Sequence, residues 1–519
     1  MLPETEKNPR VLIVTPEVTY LPRGMGNIAN YLSAKAGGLA DVSAALISKL
    51  FALGADVHVA MPDYRGIFHK NIGGALWELY QKELDTYRKY LPEERLHLAE
   101  DRAFYYVDNV YSDLSQENLK IALAFQREVV NNIIPRVRPD MIHCNDWMTG
   151  LIPAYSRTVG IPSLFTIHNI HTVKASLSEI EDRGIDAAEF WQALYYDYMA
   201  VNYEQAREGN PVDFLVSGVF AAHFVNTVSP TFLNEIVSGR HDFVPGSLRE
   251  ELVNKVEADC AYGILNAPDP SYEPSSDPEL FQNYTWQDHA EGKRANKLYL
   301  QKRLGLSQDG DAALFFWPSR LDPVQKGCQL LADVLYHMVS KYWERRLQVV
   351  FVAGGEFQRH FLSIVDFHGL ERRVAVCNFF EALARQAYGA SDFVLMPSSF
   401  EPCGLPQMIG PKYGTLPVAH DTGGIHDTVT HLDPENDLGN GFLFEVFDSI
   451  GLMWAVDQAM AFHRRSAATK GRQISRIMKQ SAAMFNHEVT AGRYIELYEK
   501  MLQRPLIKEP YAEQEQENQ

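Results

Sequence analysis

Residues 393–424 limit the fold more than any other part of the chain. The run Phe393-Val394-Leu395-Met396 is wholly apolar and stops at Pro397, and a second apolar run at 416–419 leads into Thr422-Gly423-Gly424. Short uninterrupted apolar runs closed by turn formers are the pattern of parallel strands buried on both faces. Such a strand delivers residues 398–404 into a loop at its carboxyl end, which is where open α/β sheets bind ligands. Glu401 lies in that loop between Phe400 and Pro402, where a carboxylate adds nothing to packing and can accept two hydroxyl hydrogen bonds. Gly423 and Gly424 have no Cβ to keep backbone amides away from an anion.

The same alternation runs through the whole chain in two series. The first series has strand-like runs at 11–14, 55–61 (which alternates), 140–143 and 163–167, and the second at 312–317, 349–353, 393–396 and 416–419. A chain of 519 residues exceeds one ordinary core. The reading is therefore α/β, with two doubly wound Rossmann-like domains. The boundaries expected are 1–266 for the first domain and 267–285, rich in Pro, Ser, Asp and Tyr, for a linker. The second domain follows at 286–484, a C-terminal helix at 485–505 and a disordered polar tail at 506–519. With 46% hydrophobic and 22% charged residues the chain reads as a soluble globular protein. A net charge of -18 repels nucleic acid and anionic membranes, so neither is expected as a partner, while a neutral polymer is compatible. Cys144, Cys260, Cys328, Cys377 and Cys403 are scattered and odd in number, which points to a reduced, cytoplasmic compartment. The amino terminus lacks the apolar core of a signal peptide, and no apolar run reaches membrane-spanning length. No metal-ligand spacing is present, so neither metal nor cofactor is expected.

Candidate residues cluster where runs end. Gly37-Gly38 opens a helix with apolar positions Leu39, Val42, Leu46, Leu50 and Leu53 and with Gly54 past its end, and Lys35 places a cation at that helix N-terminus, where amides favour a phosphate. Asp146 and His168 follow the runs at 140–143 and 163–167. Arg320 and Lys326 project two cations from the end of the run at 312–317, an arrangement suited to the developing charge of a leaving group. Residues 18–34 combine turn formers with isolated Met25, Ile28 and Tyr31, and are expected to be a mobile lid or acceptor-contacting loop. Hairpins are expected at 76–80 and 103–109, a helix at about 117–134, helical structure over 450–480, and an amphipathic helix at 489–502.

Several motifs resemble the bacterial glycogen synthase and plant starch synthase family of retaining glucosyltransferases. They are Phe-Glu-Pro-Cys-Gly-Leu (400–405), Tyr-Gly-Thr-Leu-Pro-Val (413–418), Thr-Gly-Gly-Ile-His-Asp-Thr-Val (422–429), Lys-Ala-Gly-Gly-Leu-Ala-Asp-Val (35–42) and His-Cys-Asn-Asp-Trp (143–147). Thr-Ile-His-Asn (166–169), Thr-Val-Ser-Pro-Thr (227–231), Gly-Ile-Leu-Asn (263–266) and Ser-Arg-Leu…Gln-Lys-Gly (319–327) complete the set. The resemblance spans residues 11–502. It implies the GT-B arrangement and transfer of glucose from a nucleotide-glucose, ADP-glucose first, to the non-reducing end of an α-1,4-glucan, with retention by front-face attack.

The resemblance also implies site residues. His168, Glu401, Arg320 and Lys326 would be catalytic. Lys35, Gly37, Gly38, Asp146, Asn266, Phe379, Cys403, Gly404, Leu405, Thr422, Gly423 and Gly424 would bind the donor, with Phe379 against the base and the Gly37-Gly38 and Thr422-Gly423-Gly424 amides on the diphosphate. The chain departs from the family in the length of 18–34, in Ala267 and Pro268, in Ile170 to Lys174, in His420, and in one extra residue between Leu321 and Gln325. Two other readings stay open: a GT-B transferase that uses UDP-glucose or a small acceptor, and a non-catalytic glucan-binding homologue.

Overall fold

The computed structural model describes residues 7–26, 29, 32–72, 78, 82, 95–112, 114–207 and 209–508. Apart from Glu78, the hairpin expected at 76–80 lies outside them, as do Ile28, Tyr31 and residues 509–519 of the tail. The chain divides into two compact units. The first holds Met1–Thr227, Ile236–Ile264 and Thr490–Gln519, and the second Val228–Glu235 and Leu265–Val489.

The first unit is built on a parallel sheet. Its strands are β1 (Arg10–Val14), β2 (Asp56–Pro62), β3 (Leu96–Ala99), β4 (Met141–Asn145) and β5 (Ser163–Ile167). A short antiparallel pair, β6 (Lys174–Ala175) with β7 (Val212–Asp213), stands apart, and β8 (Phe224–Thr227) and β9 (Ala261–Gly263) finish the main sheet. The order is β3-β2-β1-β4-β5-β8-β9. The direction of strand order reverses beside β1, which pairs with both β2 (Leu12 opposite His58) and β4 (Leu12 opposite Ile142). In the β1 sequence RVLIV every residue after Arg10 is buried, as helices on both faces of a parallel sheet require. The helix His487–Leu502 contributes Tyr494 and Tyr498, both buried, to this unit. Tyr498 Oη lies 2.7 Å from His143 Nδ1, and Tyr494 Oη accepts from Asn226 Nδ2 at 3.0 Å.

The second unit repeats the plan with β10 (Leu314–Trp317), β11 (Gln348–Val352), β12 (Val374–Cys377), β13 (Phe393–Met396), β14 (Leu416–His420) and β15 (Phe442–Phe444). Their order is β12-β11-β10-β13-β14-β15, all parallel, and the switch in direction falls between β10 and β13. Each unit therefore has the doubly wound Rossmann-like form of a GT-B half. Among the described residues no helix is long and apolar enough to cross a membrane.

Four local expectations are corrected. Residues 102–105 form a helix, Arg102–Tyr105, where a hairpin was expected, because Asp101 caps it by accepting from Ala103 N at 2.7 Å. The helix expected over 117–134 is α-helical at Ser115–Glu128, passes through a π turn, Val129–Ile133, and resumes as a short α-helix, Ile134–Val137, whose first turn tolerates Pro135 because an N–H there needs no partner in the helix. Residues 18–34 are not a free loop in their described part: Val18, Leu21, Met25, Ala29 and Leu32 are buried. Val18 and Ala34 exchange two backbone hydrogen bonds, so the excursion closes at its neck. Residues 267–285, read from composition as a linker, carry a buried polar network instead. Asp277 is fully buried and bonds Tyr413 Oη at 2.6 Å, and Tyr284 Oη donates to Tyr413 O at 2.8 Å.

Candidate active site

In the first unit the chemistry gathers at the carboxyl ends of β1, β4 and β5. Glu17 follows β1, is 1% exposed, and through Oε2 accepts from the amides of Ala36 at 2.5 Å and Gly37 at 3.0 Å. The Val18–Ala34 neck keeps this contact short despite the long excursion between the two partners. Burial raises the Glu17 carboxyl above its ordinary value, against the lowering effect of the two amides. The Gly37 amide assigned to a donor phosphate is thus engaged by an internal carboxylate, which corrects that assignment. Lys35 presents a half-exposed side chain whose Nζ pairs with Asp41 at 2.9 Å.

Asp146 stands in the left-handed region (φ 57°) directly after β4. Its Oδ1 accepts from His168 N at 2.7 Å. Burial pushes its carboxyl up to about 7, helped by the charge of Glu17 and opposed by the amides of His168 and Asn169. His168 follows β5, and burial lowers its imidazole to about 3, so the ring is neutral at pH 7. Asn145 Nδ2 donates to Val14 O at 3.1 Å, which turns Asn145 Oδ1 towards His168 Nε2, 3.1 Å away. Nε2 must then carry the hydrogen, and Nδ1 is left as the acceptor.

In the second unit the loops after β10 and β13 are interlocked. Lys326 Nζ lies 2.6 Å from Glu401 Oε2, and Ser398 Oγ donates to the same oxygen at 3.0 Å. The side chains are 12% and 6% exposed. The extra residue before Gln325 is absorbed in a turn capped by Asp322, whose Oδ1 accepts from Val324 N at 2.9 Å and Gln325 N at 3.0 Å. Gly327 follows at φ 69°, and a Cβ there would lie 1.8 Å from Pro397 O, so only glycine lets the two loops meet. Arg320 borders a cavity of about 800 Å³ with Gly354, Gly355, Arg359 and His360; Lys326 and Glu401 do not line it.

Other expected residues are placed more variously. Phe379 is 60% exposed just beyond β12. Asn266 is buried with no hydrogen-bond partner for Oδ1 among the described residues. Its amide meets the buried Cys403 thiol, which burial pushes up to about 12, far from a nucleophilic thiolate. Gly404 is at φ 74° and Leu405 caps the helix Pro406–Lys412. The turn Thr422-Gly423-Gly424 brings a second correction. Thr422 Oγ1 and Gly423 N each donate to both oxygens of buried Glu235 at 3.1 Å, and Gly424 N donates to Glu401 O at 2.9 Å. These amides hold the protein's own carboxylate and carbonyl, not an open anion site.

The sequence reading missed Glu17, Glu235, Asn145 and Ser398. Asn145 and Ser398 stand beside motif residues already singled out, and Glu17 lies three residues past the end of β1, close to the kind of position that drew attention to Asp146. Glu235 left no such signal, because its partners lie 188 residues away.

Residues 10–247 match the starch synthase catalytic domain family, and residues 312–461 match glycosyl transferases group 1. A glycogen synthase of Syntrophotalea carbinolica is 32% identical over 500 residues, covering 91% of this chain and 96% of that protein. One of Bacillus subtilis is 33% identical, covering 83% and 88%. The catalytic domain of starch synthase IV from Arabidopsis thaliana, solved with ADP and acarbose, superposes with a TM-score of 0.74 at 25% identity, over 96% of this chain and all of that one. With motifs, both sheets and full-length relatives in agreement, the chain belongs to the glycogen synthase and starch synthase family of glycosyltransferases.

Proposed function

We propose that this protein transfers glucose from ADP-glucose to the non-reducing end of an α-1,4-glucan with retention, in the cytoplasm. The observation that carries the reading is the Lys326–Glu401–Ser398 cluster, held by interlocked loops at strand ends of the nucleotide-binding type. Glycogen synthase relatives along the whole chain and a starch synthase neighbour solved with ADP support the donor and acceptor classes.

In this mechanism the second unit offers Glu401 and the buried Oδ1 of Asn266 as acceptors for hydroxyls of the transferred glucose, and the first unit offers Asp146 and, through Nδ1, the neutral His168. Lys326 spends one N–H on Glu401 and turns the others to the leaving diphosphate. Arg320, from the same loop after β10, adds positive charge in the second unit, and Lys35 is the cation that the first unit offers, so that stabilisation grows as the glycosidic bond breaks. The departing phosphate oxygen takes the proton of the attacking hydroxyl on the same face. Because the Gly37 and Gly423 amides are engaged internally, these cationic side chains carry the leaving-group role. Phe379 offers its exposed face to adenine. Incubation of the purified protein with radiolabelled ADP-glucose or UDP-glucose and glycogen tests the reading. Polymer labelled faster from ADP-glucose is expected. Faster labelling from UDP-glucose overturns the donor, and glycogen binding without transfer from either overturns the activity.

A further inference from the structure

Two carboxylates in the second unit cap each other's helices. The helix Pro230–Val237 begins at Ser229, and its first turn is held by Asp427: Ser229 Oγ donates to Asp427 Oδ2 at 2.5 Å, Thr231 Oγ1 to Oδ1 at 2.6 Å and Thr231 N to Oδ2 at 3.1 Å. Asp427 lies on the helix Gly423–Thr428, and the start of that helix is held in turn by Glu235, which rides on the first. Each carboxylate thus satisfies donors of the other helix and faces the positive end of its dipole.

This clasp bears on the catalytic loop through the backbone. Gly423 sits at φ 47°, and a Cβ on it would lie 2.0 Å from Glu401 O; a Cβ on Gly424 would lie 2.1 Å from Cys403 O. Gly424 N reaches Glu401 O at 2.9 Å. The glycine turn is therefore pressed against residues 401–403, and Glu235 fixes the turn from its other side. We infer that Glu235 is a positioning residue, which sets the backbone of Glu401, and with it the Lys326–Glu401 pair, by gripping the Thr422–Gly423 turn. The inference rests on the role proposed for Glu401, but the grip itself is readable without activity.

The test uses the full-length protein with Glu235→Ala and Glu235→Gln, the second of which keeps one acceptor oxygen for the turn. Amide hydrogen exchange of peptides covering 398–405 and 422–428 is measured beside kcat, the glucan KM, the ADP Kd and the thermal midpoint. Expected for Glu235→Ala is at least tenfold faster exchange in both peptides and a kcat lower by roughly 10–100-fold, the scale of a small misplacement at a reacting centre. The glucan KM should stay within twofold, and Glu235→Gln should recover part of both losses. Unchanged exchange in 398–405, a kcat within twofold of the parent, or tighter ADP binding, which would mean that Glu235 competes with a phosphate for the Gly423 amide, overturns it. If the parent protein shows no transferase activity, the proposed function fails, and the exchange data alone decide the grip.

Discussion

Replacing Lys326 by methionine keeps the volume of the side chain and removes its charge, leaving Glu401 6% exposed with Ser398 as its remaining side-chain donor. An uncompensated buried carboxylate costs several kcal/mol, but the cost is capped because the group can take up a proton instead. An ordinary glutamate titrates near ~4.3, and each pH unit is worth about 1.4 kcal/mol, so neutralising one at pH 7 costs about 3.7 kcal/mol and at pH 5 about 1 kcal/mol. For a unit of this size 1 kcal/mol moves the midpoint by ~2–4 °C. The calorimetric transition of the second unit should therefore fall by ~7–15 °C at pH 7 and by only ~2–4 °C at pH 5, relative to the parent at the same pH. Adding Glu401→Leu to Lys326→Met should restore much of the pH 7 loss, since the unpaired charge is gone. An equal fall at the two pH values, or one below 3 °C at pH 7, would refute the premise that the pair is a buried ion pair.

Asp146, held up to about 7 by burial, should give kcat/KM an acid limb near neutrality, and Glu17→Gln should move that limb to lower pH by removing the charge that helps raise it; a flat profile down to pH 5.5 would contradict this. The sign for stability is the reverse. A carboxyl raised from ~3.9 stabilises the fold fully below that value and loses the contribution as pH rises through about 7, so Asp146→Asn should gain on the parent between pH 4 and pH 8 in urea unfolding. Gly327→Ala must push a Cβ into Pro397 O from 1.8 Å, separating the loops that carry Lys326 and Glu401, and should lower kcat by ~10²-fold; near-parental turnover would show that the loops part at little cost. Replacing residues 19–33 by a short Gly-Ser spacer removes the buried Leu21, Met25 and Leu32, worth ~4–9 kcal/mol in lost burial, and an unchanged midpoint for the first unit would overturn the packed reading.

The strands were legible because a parallel sheet covered on both faces leaves little room for polar residues, and runs such as Phe393–Met396 show this without help from their surroundings. Strand ends then pointed to Asp146, His168, Arg320 and Glu401. The excursion at 18–34 was misread because Pro22, Gly24 and Gly26 look like a loop while its buried anchors follow neither helix nor strand period. Residues 267–285 were misread for a related reason: their polar composition serves an internal network around Asp277 and not a solvated tether. The glycine turns were read as places where amides meet a donor phosphate, whereas in the structure the Gly37 and Gly423 amides meet carboxylates of the chain itself. That the charge is Glu17 or Glu235 depends on contacts across 20 and 188 residues, which no local pattern records.

The hydrogen bonds that Tyr494 and Tyr498 make to Asn226 and His143 have a consequence for synthesis. The first unit begins with β1, made before every other strand described, yet it takes its last helix from residues that follow the whole second unit. At ~5–20 residues per second, the stretch from Leu265 to the end of that helix takes on the order of 10–50 s to make. Throughout that interval the surface that awaits the two tyrosines stays open on the nascent chain, and it is still open when the second unit has its last residue, Val489. The half that is started first is therefore the half that is finished last, and a chaperone would find its binding surface there.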